Sequence, residues 1–219
     1  MRPLRLRSAC PTMDMGGQRL ARYACRLAEH GGDCATMVRM SAEPSPGIDC
    51  IPDERLAAEL DRLGVHFVRA RALPEGHIPI APATLLAALA CSREARMQLA
   101  LIPLFLVRPE FASAVGDAAG RLAGLPRLTL ACYYTAAMLL QRKHEARLRV
   151  FGFGQERLTD IFGQELGVSP STDVDRSLRW LAERQTVLSG RALNWYGTYE
   201  HAAERLLRQA ELEVRWTPT

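Results

Sequence analysis

Beyond residue 52 the apolar positions recur mostly with a helical period and seldom alternate in twos. Leu56, Leu60 and Leu63 form one stripe of a helix over 53–63, which Asp53 can cap and Gly64 ends. Pro82 suits the first turn of a helix over 83–90. Ser92 can cap a helix over 93–107 that is apolar all round from Leu99 onward, so Leu99, Ile102, Phe105 and Leu106 are expected in the core. Pro103 removes an amide donor inside that helix and should kink it. Further helices are expected over 110–122, 128–149 and 156–166, the last closed by Gly167. Thr172 with Asp175 reads as a capping box for 174–188, and Gly190 fits its C-terminal cap. In the last helix, 199–214, Tyr199, Ala203, Leu206, Ala210 and Val214 share a side. Residues 65–69 alternate briefly and suggest a strand. The fold class is therefore mainly α: a multi-helix domain over 52–219 with at most one or two short strands.

Residues 1–51 differ from this pattern. They carry four of the six cysteines, five of the seven methionines and the pairs Gly16-Gly17 and Gly31-Gly32. One helix fits, over 18–29. The region reads as a poorly ordered extension. Arg2, Arg5 and Arg7 would suit a targeting peptide, but acidic residues follow soon and no apolar stretch does, so no signal peptide is expected.

Composition narrows the function classes. A net charge of +4 from 28 basic and 24 acidic residues is too balanced to imply nucleic acid or an anionic membrane. Lys143 is the one lysine among those 28 cations, a bias that fits a GC-rich genome. The cysteines (10, 25, 34, 50, 91 and 132) form no C-x-x-C pair and have no histidine at zinc spacing, so reduced thiols are expected and neither a metal nor a cofactor is. The apolar runs 99–107 and 128–140 fall short of the ~20 residues that cross a bilayer. Membrane association is not expected, and a cytoplasmic, bacterial protein is.

The stretch from Ser189 to His201 stands out, because it places two glycines, an amide and three large aromatics between two well-patterned helices. Asn194, Trp195, Tyr196, Tyr199 and His201 are interface candidates there, since Trp and Tyr combine apolar area with a polar handle. The alternative is an ordered turn whose aromatics fill the core and whose Asn194 caps a helix. His201 falls opposite the apolar stripe. With Glu204 it offers two metal ligands at most, and Glu204 can instead pair with Arg208. Arg142, Lys143, Arg147 and Arg149, with His144, make the densest basic cluster. They could meet phosphates, or simply complement a helix C-terminus.

No phosphate-binding loop, dinucleotide fingerprint, serine-hydrolase elbow or zinc-protease motif occurs, and no catalytic set is assigned. Arg71 and His77 have the spacing used by helical ribonucleases, but fall in a connector with Pro74 and Gly76. The leading expectation is a non-enzymatic interaction or accessory subunit that binds another protein or itself. An RNA-directed hydrolase or nuclease of a helical class is the alternative, and a nucleic-acid-binding regulator the second.

Overall fold

The computed structural model describes residues 51–67, 78–168 and 171–216. Among them the chain is helical and has no strand. The helices are α1 (Asp53–Arg62), α2 (Pro82–Cys91), α3 (Ala95–Leu99), α4 (Leu101–Val107), a 3-10 segment (Pro109–Ala114), α5 (Val115–Gly120), α6 (Gly124–Lys143), α7 (Glu145–Val150), α8 (Gly163–Leu166), α9 (Val174–Ser189) and α10 (Trp195–Trp216). Residues 1–50, with the expected helix over 18–29, and both Arg71 and His77 lie outside the described residues.

The core is built around α6, whose residues from Leu130 to Leu140 are all buried. Helices α2, α4, α9 and α10 pack on it, and α10 also packs on α4. Tyr134 of α6 stands edge-on to Phe105 of α4 and Phe162, at centroid distances of 5.0 and 5.9 Å. Such edge contacts match the positive ring edge to the negative face. Ile102, Phe105 and Leu106 are buried as the apolar run requires, and Leu99 is partly buried against the same core.

Where α1, α8 and α9 stop, a glycine takes the left-handed conformation that a Cβ disfavours. After α1, Gly64 has φ 80°, its amide bonds the Asp61 carbonyl, and the Val65 amide bonds the Leu60 carbonyl. The same paired closure follows α8 at Gly167. Helix α9 ends at Gly190, φ 66°.

Several expected boundaries shift, each for a local reason. Residues 65–67 are not a strand: Val65 closes the cap of α1, and Val65 and Phe67 are both buried in the core. Their alternation records two core plugs around an exposed His66, whose Nδ1 lies 2.6 Å from Asp61. Residues 68–69 lie outside the described residues. Asp53 does not cap α1. Its carboxylate accepts the Ser92 hydroxyl at 2.9 Å and ties α1 to the α2–α3 corner. The 93–107 helix is two, α3 and α4, parted at Ala100, one turn before Pro103, where the proline leaves the Leu99 carbonyl without its amide partner. The 110–122 helix opens as a 3-10 segment, because Arg108 precedes a proline and is held out of helical geometry at φ −126°, ψ 70°. The helix expected over 128–149 starts four residues earlier and breaks at His144 (φ −104°, ψ 18°).

The largest correction concerns 156–166, helical only over Gly163–Leu166. Side chains of α6 occupy the backbone groups that a longer helix would need. Gln141 donates to the Glu156 carbonyl at 2.7 Å and accepts the Leu158 amide at 2.9 Å, and Tyr134 donates to the Thr159 carbonyl at 2.8 Å. Asp160 then accepts the Gly163 amide at 2.6 Å and starts α8. Similarly, Asp173 and not Thr172 caps α9, accepting the Arg176 amide at 3.0 Å.

Candidate functional site: the junction of α6, α9 and α10

Ordinary capping places the aromatic stretch. The Asn194 side-chain oxygen accepts the Gly197 amide at 3.0 Å, and the Asn194 backbone carbonyl accepts the Thr198 hydroxyl. Helix α10 therefore starts at Trp195, four residues before the expected point. The aromatics then separate by helical position. Trp195 is buried, 6% exposed, with Nε1 donating to the Arg191 carbonyl at 3.3 Å. Tyr199 is fully buried, donates to the Gln185 side chain, and stands edge-on to Tyr133 at 6.2 Å. Burial pushes the Tyr133 hydroxyl up to about 12, raises Tyr199 as well, and lifts the nearby Cys132 thiol to about 12. All three stay protonated at neutral pH. His201 is exposed on the outer side of α10.

Tyr196 faces a charged junction instead. Its hydroxyl donates to Asp175 at 2.9 Å, and the Arg179 guanidinium and Lys143 ammonium lie 5.4 and 5.8 Å from its ring centroid. Lys143 bonds Asp175 at 2.6 Å and Glu200 at 2.8 Å, so one ammonium joins the end of α6 to α9 and α10. Partial burial works against the Lys143 charge, but the bonds to Asp175 and Glu200 outweigh it and raise the group above its ordinary value. The hydrogen bonds from Lys143 and Tyr196 hold the Asp175 carboxyl below its usual range. Lys143 is thus a fixed cation. His144, nine-tenths buried, brings Nε2 to 3.6 Å from Glu200.

The rest of the basic cluster disperses. Arg147 bridges Glu204 at 2.7 Å and Glu211 at 3.1 Å, so Glu204 pairs with α7 and not with Arg208. Arg149 bonds Glu145 at 2.6 Å within α7, and Arg142 donates to the Ser171 carbonyl at 3.1 Å. A phosphate approaching Lys143, Arg147 or Arg149 would compete with the carboxylates already paired to them. Among the described residues no group of three or more His, Cys, Asp or Glu is placed to hold a metal ion.

Beside Tyr196 lies an open recess of about 230 Å³, lined by Arg179, Glu183, Thr186, Leu193 and Asn194 among others. It offers a cation, a carboxylate, a hydroxyl and an amide beside one exposed leucine.

Sequence reading missed the large apolar side chains that do face solvent. Of eleven among the described residues, seven belong to the last two helices and their connection: Trp180, Val187, Leu188, Leu193, Leu212, Val214 and Trp216. Trp216 is 82% exposed and Trp180 41%. Their signal in the sequence is an apolar residue on the charged face of an amphipathic helix. Leu212 and Trp216 fall with Arg205 and Arg208, and Trp180 and Val187 with Arg176 and Glu183. No single helix among the described residues is long and apolar enough to cross a membrane. No protein-family model matches the chain, and no curated protein or solved structure does.

Proposed function

We propose that this chain is an interaction subunit whose last two helices carry its contact surfaces, the end of α10 recognising another protein. One observation carries the reading: seven large apolar side chains, two of them tryptophans, face solvent on these helices and their connection while the third tryptophan is buried. Tryptophan dominates binding energy at protein interfaces, and exposed apolar surface gains most by leaving water. Beyond Ala210, α10 carries Leu212, Val214 and Trp216 outward for one and a half further turns, with Leu212 and Trp216 one turn apart on a common side. Two apolar anchors at this spacing suit an apolar groove on a partner protein. The ion pairs from Lys143 and Arg147 to Glu200, Glu204 and Glu211 brace the helix behind them.

The test is photo-crosslinking from single sites of the full chain in the cells it comes from. A photoreactive residue at position 212 or 216 should capture one discrete protein, and the same residue at the exposed sites Val150 or His66 should not. Crosslinks to RNA, or equal capture from all sites, would overturn the reading.

A further inference from the structure

The outer face of α9 has an order of its own. Arg176, Trp180, Glu183 and Val187 follow one another at steps of four, three and four residues, and all four are exposed. At about 100° per residue they lie within roughly 60° of each other, a straight seam down the helix. The opposite face, with Leu178, Leu181, Ala182 and Gln185, is buried. A seam of this spacing is what one helix presents to another in a shallow-angle pair. Arg176 and Glu183 have no ion-pair partner among the described residues, although most charged groups around the junction of α6 and α10 do. Trp180 is fixed from within, because its Nε1 donates to the Gly167 carbonyl at 2.8 Å, leaving 41% of the residue exposed.

We propose that this face of α9 docks on the same face of a second copy of the chain, with the two α9 helices antiparallel. The charges of this face are self-complementary. Arg176 and Glu183 stand about 10 Å apart at roughly 1.5 Å per residue, on either side of Trp180. A two-fold axis midway between them, beside Trp180, sets each arginine against the partner's glutamate and makes two identical ion pairs. The same axis brings the two tryptophans together at the centre. A parallel pair would instead set Arg176 on Arg176 and Glu183 on Glu183, so the charges select the antiparallel arrangement. Such an interface is isologous and closes at two copies. Four seam side chains are fewer than a standard interface uses, so the dimer is reversible and its population rises with concentration. This inference rests on the reading of the chain as an interaction subunit. It assigns α9 to self-association and leaves the end of α10 to the other protein.

Sedimentation velocity over a micromolar-to-millimolar concentration series tests it on the full chain. The wild type should move from monomer to dimer. Arg176→Glu and Glu183→Arg, both at exposed positions without an ion pair to lose, should each weaken the dimer at least about tenfold, because each sets two like-charge pairs across the axis. The chain carrying both changes should dimerise again, since swapping the charges restores both pairs. Mixing the two single variants should yield a heterodimer, one seam then being all acidic and the other all basic. A wild type monomeric throughout, or a dimer indifferent to both single reversals, would overturn the proposal. Capture of another protein from position 216 would be untouched by that result, so the two readings fail separately.

Discussion

Along α6, Leu130 to Leu140 are buried and packed by α2 and α4, whereas the residues that follow directly, Gln141, Arg142 and Lys143, bond carbonyls and carboxylates of other segments. The first stretch is held by area removed from water, which is non-directional and shows in the sequence as a run of apolar residues. The second is held by pairs 15 to 57 residues apart, such as Gln141 with Glu156 and Lys143 with Glu200. Nothing local announces them. The apolar part should therefore resist pH and fail on loss of volume, and the polar part should do the reverse.

The largest effect expected is in the apolar part. Phe105 is fully buried against Tyr134. Phe105→Ala should destabilise the chain by roughly 3–5 kcal/mol in denaturant unfolding. A loss below about 1 kcal/mol would show that α4 is peripheral.

Lys143→Met should cost about 1–3 kcal/mol, because it leaves Glu200, whose side chain is only 19% exposed, without its principal cation. The effect should depend on pH. Asp175 is depressed in the folded chain, so its contribution is complete above the unfolded carboxyl value of about 4 and is lost as pH falls through the folded one. Lys143 is raised, so its contribution is complete below about 10.4 and is lost as pH rises through the folded value. Wild type and variant should differ most between these limits and converge in acid. A gap in thermal midpoint that persists unchanged into acid would mean that the ammonium does not act through Asp175. Lys143→Arg should restore only part of the loss: a guanidinium can bridge two carboxylates, as Arg147 does between Glu204 and Glu211, but it is larger and planar where the compact ammonium sits.

A smaller effect belongs to the helix ends. A Cβ at Gly190 would meet no atom within 4 Å, so Gly190→Ala tests backbone conformation alone at φ 66°. It should cost about 1 kcal/mol. Smallest of all, His201→Ala on the exposed side of α10 should change stability by no more than about 0.5 kcal/mol. A larger loss would mean that this outer face is packed.

The same division explains what could be read in advance. The helices around Leu56, Leu86 and Leu178 follow from apolar spacing, and the stops at Gly64, Gly167 and Gly190 from the freedom of glycine at positive φ. The break near Pro103 follows from its missing amide. The irregular path through 153–162 did not, because Gln141 and Tyr134 reach it from α6, 15 to 25 residues away. The aromatics at 195–199 were visible as a cluster, but their sorting was not. Starting α10 at Trp195 sends Trp195 and Tyr199 inward and Tyr196 to the charged junction. Trp180 and Trp216 are not singled out by the sequence pattern alone; their exposure follows from which faces of the two helices the core covers.

On the proposed reading, the large apolar side chains of α10 divide between the fold and a partner. The most direct test compares Trp195→Ala with Trp216→Ser, measuring for each the unfolding free energy and the affinity for the protein captured from position 216. Trp195→Ala, at a side chain 6% exposed, should lose roughly 3–5 kcal/mol of stability. Trp216→Ser should unfold like the wild type and lose about 2 kcal/mol or more of binding. A Trp216→Ser chain that binds as tightly as the wild type would overturn the proposed interface.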